Sequence, residues 1–73
     1  MTDKEILDIY ERTTGDKLSE SDSRKADIVD EMNRVKDAPS AKDARDVVDW
    51  WEWPSQQAMD GWIRRVRKAM GVK

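Results

Sequence analysis

Asp49-Trp50-Trp51-Glu52-Trp53-Pro54 places three of the chain's four tryptophans in four consecutive positions and closes them with a proline. Successive helical residues point about 100° apart and successive strand residues alternate, so neither element turns three adjacent indoles onto one buried face. At least one ring is therefore expected at the surface, where a large rigid side chain is a ready anchor for a partner. Pro54 biases Trp53 toward extended backbone, which predicts a tight break at this point.

Upstream of the break, Ser40-Ala41-Lys42-Asp43 has the form of a capping box with aspartate in the reciprocal position. Ala44, Val47, Val48 and Trp51 follow at i, i+3, i+4 and i+7, predicting a helix over 41–52 with Trp51 in the core. On that wheel Trp50 lies about 100° from the apolar stripe and Trp53 nearly opposite it, so these two are the surface candidates. Downstream, Ser55 caps a helix over 56–70 in which Met59, Trp62, Ile63, Val66 and Met70 line one face, with Gly71 at its end. Arg64, Arg65, Arg67 and Lys68 are expected on the opposite face.

At the front of the chain, Thr2-Asp3-Lys4-Glu5 is a second capping box. Ile6, Ile9, Tyr10 and Thr13 share a face, Leu7 sits at its edge, and Gly15 is placed to take the left-handed conformation that ends a helix over 3–14. Residues 15–22 have linker composition, with Leu18 packing back and Ser19 or Ser21 capping a helix over 20–37. Ile28, Val29, Met32 and Val35 form its narrow apolar stripe, and Pro39 stops it. The expected architecture is all-α, one small domain over 1–73 built from four short helices, with frayed ends.

Composition narrows the chemistry. The 73 residues include no cysteine and no histidine, which removes disulfides, thiolate metal sites and the usual neutral-pH proton shuttle. What remains is carboxylates on solvated helix faces, and Asp27 with Asp30 and Glu31 reads as solvating charge, neither a catalytic dyad nor a calcium loop. The expectation is a protein that is not an enzyme and uses no cofactor, metal or small-molecule substrate. No apolar stretch approaches the roughly 20 residues needed to span a bilayer, and the first residues lack a basic segment followed by an apolar run. A cytoplasmic location without membrane contact is expected. Charge is polarised: residues 1–40 carry eleven acids against seven bases, while residues 56–73 set Asp60 against Arg64, Arg65, Arg67, Lys68 and Lys73.

Binding is the remaining class, and the candidate protein-binding residues are Trp50, Glu52 and Trp53 at the corner with Arg64, Arg67 and Lys68 on the last helix. A competing reading folds both surface indoles over the corner to seal a core that lacks phenylalanine. DNA is the alternative partner. Ser55-Gln56-Gln57-Ala58-Met59-Asp60-Gly61-Trp62 resembles the start of recognition helices in lambdoid phage repressors, which would make residues 45–68 a helix-turn-helix with Gln56, Gln57, Arg64 and Arg67 toward DNA. Asp49 and Trp53 depart from that motif, which has a small residue and a glycine there. A second alternative is a homo-oligomeric assembly module joined through the indoles. The basic last helix with Trp62 also has the look of a membrane-surface helix, but Trp62 lies on the apolar stripe that the domain's own core needs.

In its length, its helical, cysteine-free and phenylalanine-free makeup and its Trp50-Trp51-Glu52-Trp53-Pro54 corner, the chain resembles the small phage-encoded regulators, known from a Xanthomonas phage, that bind host RNA polymerase. The resemblance implies a protein of the bacterial host cytoplasm that docks on the polymerase, interferes with promoter-dependent initiation and alters termination.

Overall fold

The computed structural model describes residues 1–72; Lys73, counted above in the basic tail, and the fraying expected at that end lie outside the described residues. Four helices follow in order, α1 (Asp3–Thr14), α2 (Lys25–Asp37), α3 (Ala41–Val48) and α4 (Gln56–Ala69). Three of their starts are set by the residues the sequence singles out. Thr2 and Glu5 exchange both bonds of a capping box, Ser40 accepts from the Asp43 amide, and Ser55 accepts from the Ala58 amide. Gly15 ends α1 with φ +78°, a conformation costly for any residue with a Cβ.

α2 and α4 pack against each other, while α1 and α3 each touch both of them and not one another. The interior is built from Ile6, Ile9 and Tyr10 of α1, Ile28, Met32 and Val35 of α2, Ala44 and Val48 of α3, and Met59, Trp62, Ile63 and Val66 of α4 with Met70 just after it. The radius of gyration of 11.5 Å is that of a well-packed chain of this length, about 11 Å by size scaling. Thr13, on the apolar face of α1, has a specific task there. Its hydroxyl donates to the Ile9 carbonyl at 2.7 Å and accepts from Trp62 Nε1 at 2.9 Å, pairing the polar atom of the largest fully buried side chain.

α4 ends one residue before the expected 70, and two other helix boundaries differ from the sequence expectation by more. α2 begins at Lys25 instead of residue 20, and neither Ser19 nor Ser21 caps it. Asp22 captures the chain first: its Oδ1 accepts from the Arg24 amide at 2.9 Å, its carboxylate takes the Arg24 guanidinium at 3.1 and 2.8 Å, and its own amide closes a turn onto Ser19. Such side-chain to backbone bonding competes with helix and holds residues 20–24 in turns.

α3 ends at Val48, four residues short of 52. The Val48 carbonyl receives the Trp51 amide at 3.0 Å and Trp53 Nε1 at 2.8 Å, in place of the Glu52 amide that would continue the helix. Asp49–Ser55 is therefore a seven-residue connection without helix, longer than the three- or four-residue turn of a helix-turn-helix.

Candidate functional site

With α3 stopped at Val48, the helical wheel no longer governs the indoles, and tertiary contacts place them individually. Trp50 projects outward, 69 % exposed. Trp51 is half-buried and central, with ring centroids 5.8 Å from Tyr10, 6.2 Å from Trp50, 5.9 Å from Trp53 and 5.1 Å from Trp62. Trp53, expected opposite the core, instead lies nearly parallel to Trp51, packs against the interior and spends its N–H on the Val48 carbonyl. The surface expectation holds for Trp50 and is corrected for Trp53. The reading in which both indoles seal the core is met by Trp53 alone, and Trp50 is left out.

These rings form one wall of a groove of about 710 Å³ whose other walls come from α1, the linker and the first half of α2. Tyr10, Ile28, Trp50, Trp51, Trp53 and Pro54 give it an aromatic and apolar surface, and Asp16, Asp27, Glu31 and Glu52 give it a carboxylate rim. Arg24 is its single lining cation. That guanidinium is already taken, lying 2.8 Å from Asp22 and 3.3 Å from Asp16. Among the described residues no cation lies within ion-pair distance of Asp27, Glu31 or Glu52. The groove is consequently acidic, with three carboxylates facing it unmatched.

The groove's electrostatics follow from burial and from donors. Glu31 accepts from Trp51 Nε1 at 2.8 Å. Burial raises its pKa from the ordinary glutamate value, a rise that hydrogen bonding from the Trp51 and Trp50 indoles opposes and that Asp27 and Asp30 reinforce. Tyr10 donates to Asp16 at 2.8 Å, and burial together with this bond pushes its pKa up to about 12. The hydrogen bonds from Arg24 hold Asp22 down at about 2. Tyr10, Asp16, Arg24 and Asp22 thus form one chain of bonds that braces the linker against α1.

The residues marked out in sequence do not all converge here. Trp50, Glu52 and Trp53 line the groove. Arg64 and Lys68 are exposed on α4, as are Gln56 and Gln57 at its start, and none of the four lines the groove. Arg67 is corrected: it is half-buried, and its Nη1 donates to the carbonyls of Val35 and Ala38 at 2.8 Å each, closing the C-terminal end of α2. This role is internal, because unpaired carbonyls at a helix end attract a cation and are satisfied by one.

Tyr10, Asp16, Asp27 and Glu31 are among the groove residues that sequence reading did not assign to a site. A partial signal exists for two of them. Asp27 and Glu31 stand four apart on α2, each one position before a buried residue, Ile28 and Met32, which puts both carboxylates on the shoulder of the apolar stripe.

Among the described residues no group of acids is arranged to hold a metal ion, and no helix is long and apolar enough to cross a membrane. No family model, curated protein or solved structure matches the chain significantly.

Proposed function

We propose that the protein is a non-enzymatic regulator that works by stoichiometric docking on a protein partner, with the groove at the tryptophan corner as its docking face. The observation that carries this reading is the 69 % exposure of Trp50 beside an open aromatic groove. Apart from Met1, it is the only large apolar side chain left exposed among the described residues. A rigid indole standing on a supported surface loses little entropy when a partner covers it, which is why tryptophan is enriched at interface hot spots. The resemblance of the chain to phage-encoded regulators supplies the partner to test first, bacterial RNA polymerase, with transcription inhibited or redirected as the consequence.

The test compares the wild-type protein with Trp50→Ala in gel filtration against purified bacterial RNA polymerase. Wild type is expected to co-elute, and the variant to bind about tenfold or more weakly, as for a hot-spot residue. Failure of the wild type to co-elute with core enzyme or holoenzyme removes polymerase as the partner, and undiminished binding by Trp50→Ala removes the groove as the face.

DNA remains a second reading because Gln56, Gln57, Arg64 and Lys68 are exposed along α4. The loss of Arg67 to α2 and the seven-residue connection weigh against it. Unchanged mobility of duplex DNA at low salt, where phosphate attraction is strongest, eliminates it.

A further inference from the structure

We infer that the groove beside Trp50 receives an arginine side chain of the protein partner, an inference that rests on the docking role just given to that groove. Charge selects the sign of the occupant. Asp27, Glu31 and Glu52 face the groove with no cation within ion-pair distance among the described residues, and Arg24 is occupied by Asp16 and Asp22. An apolar or anionic group seated here would strip water from these carboxylates without replacing it, which is unfavourable. A cation removes that cost.

The wall and the rim then select which cation. Trp50 stands at 87° to Trp51 and Tyr10 at 84° to it, so the lining rings lie in perpendicular planes, and the 69 % exposure of Trp50 leaves its ring faces open to a guest. Cations bind over such faces, and a planar guanidinium stacks on one ring while its edge stays free to donate. Glu31 accepts from Trp51 Nε1 through Oε2, and the Trp50 indole also bears on this carboxylate. Asp27, one helical turn away on α2, and Glu52 add further acceptors. Five guanidinium donors in a fixed fork match an array of acceptors of this kind, whereas a quaternary ammonium has no N–H to give and a lysine ammonium is held back by strong hydration. The competing occupant is a second copy of the chain, which carries Arg64 and Arg65 exposed on α4.

The experiment titrates the full-length ¹⁵N-labelled protein at low salt with four blocked pentapeptides, glycine-serine-X-serine-glycine, where X is arginine, lysine, trimethyl-lysine or glutamate. The arginine peptide is expected to shift the indole N–H signals of Trp50 and Trp51 saturably, with Kd on the order of 1 mM for so small a probe. Lysine is expected to bind about threefold or more weakly, and trimethyl-lysine and glutamate to leave those signals in place. The triple variant Asp27→Asn, Glu31→Gln, Glu52→Gln preserves side-chain shape and an acceptor for Trp51. It is expected to weaken the arginine peptide about fivefold or more, with an unaltered helical circular dichroism spectrum.

Arginine and glutamate peptides acting alike, trimethyl-lysine binding better than arginine, or full affinity in the triple variant would each overturn the inference. So would groove signals that move with protein concentration alone, which would give the site to a second copy. Partner binding separates this inference from the docking reading beneath it. Binding lost in Trp50→Ala but unaffected by the triple variant keeps the docking face and removes the arginine, while binding retained in Trp50→Ala removes the docking face itself.

Discussion

Replacing Arg67 by methionine keeps most of the apolar stem and removes the guanidinium that reaches the end of α2. The group at stake donates to the Val35 and Ala38 carbonyls at 2.8 Å each. Hydrogen bonds from a charged donor contribute about 1.5–3 kcal/mol when shielded, and a cation at a helix C-terminus about 0.3–1 kcal/mol. Arg67 is only half-buried, so water re-solvates both carbonyls in part and the lower end applies. The expected loss is about 2 kcal/mol, which for a domain of this size is roughly 8–16 °C in Tm. Arg64→Met, three residues earlier on the exposed face of α4, is the control and should stay within about 0.5 kcal/mol of wild type. Urea and thermal unfolding followed at 222 nm measure both. Equal stabilities for the two variants, or a Tm for Arg67→Met within about 3 °C of wild type, would refute the assignment of Arg67 to the interior. Folded Arg67→Met should also bind a partner as wild type does, since the residue does not line the groove.

Trp62→Phe removes an indole that is 1 % exposed and the donor that satisfies Thr13, and urea unfolding should show a loss of about 2–3 kcal/mol; a neutral result contradicts the packing described. Asp22, held at about 2 against an ordinary 3.8, contributes stability that is present above pH 4 and lost as pH falls toward 2. Asp22→Asn should flatten that acid limb in pH-dependent unfolding, and an unchanged limb rules the contact out as its source. Tyr10, raised to about 12, contributes stability present below pH 10 and lost as pH climbs to 12. Its absorbance at 295 nm should titrate near 12, and titration near 10 would contradict the buried bond to Asp16.

Local rules account for most of what sequence reading placed well. The caps at Thr2, Ser40 and Ser55 and the left-handed Gly15 depend on neighbours within a few positions, and all four fall where the pattern puts them. The stripe Met59, Trp62, Ile63, Val66 and Met70 is buried throughout, because a 3.6-residue period with five large apolar groups has one way to face inward. The departures involve bonds whose partners are chosen in three dimensions or whose strength periodicity does not register. Asp22 outcompetes the helix start expected from Ser19 or Ser21, through a local carboxylate bond that apolar spacing does not reveal. Trp53 ends up against the interior because its N–H finds the Val48 carbonyl in the same fold of chain that halts α3.

The groove was half legible. Trp50 and Glu52 announce themselves by crowding, since adjacent indoles cannot all be interior. Asp27 and Glu31 do not, because acids on a solvated helix face look alike until the corner folds over α2 and places both on the lining of an aromatic groove. Arg67 shows the opposite failure. On the sequence it is one of five basic residues in a run with Arg64, Arg65, Lys68 and Lys73, and only the position of the α2 terminus distinguishes it.

Trp51 belongs at once to the interior, through Tyr10 and Trp62, and to the wall of the groove, through Trp50 and Glu31. Drift in that one ring is constrained twice over, since a substitution that retuned the surface would also loosen the scaffold beneath it. Selection acting on recognition has freer rein at position 50, where change leaves the architecture standing. Related chains would then be expected to diversify at position 50 while position 51 stayed fixed.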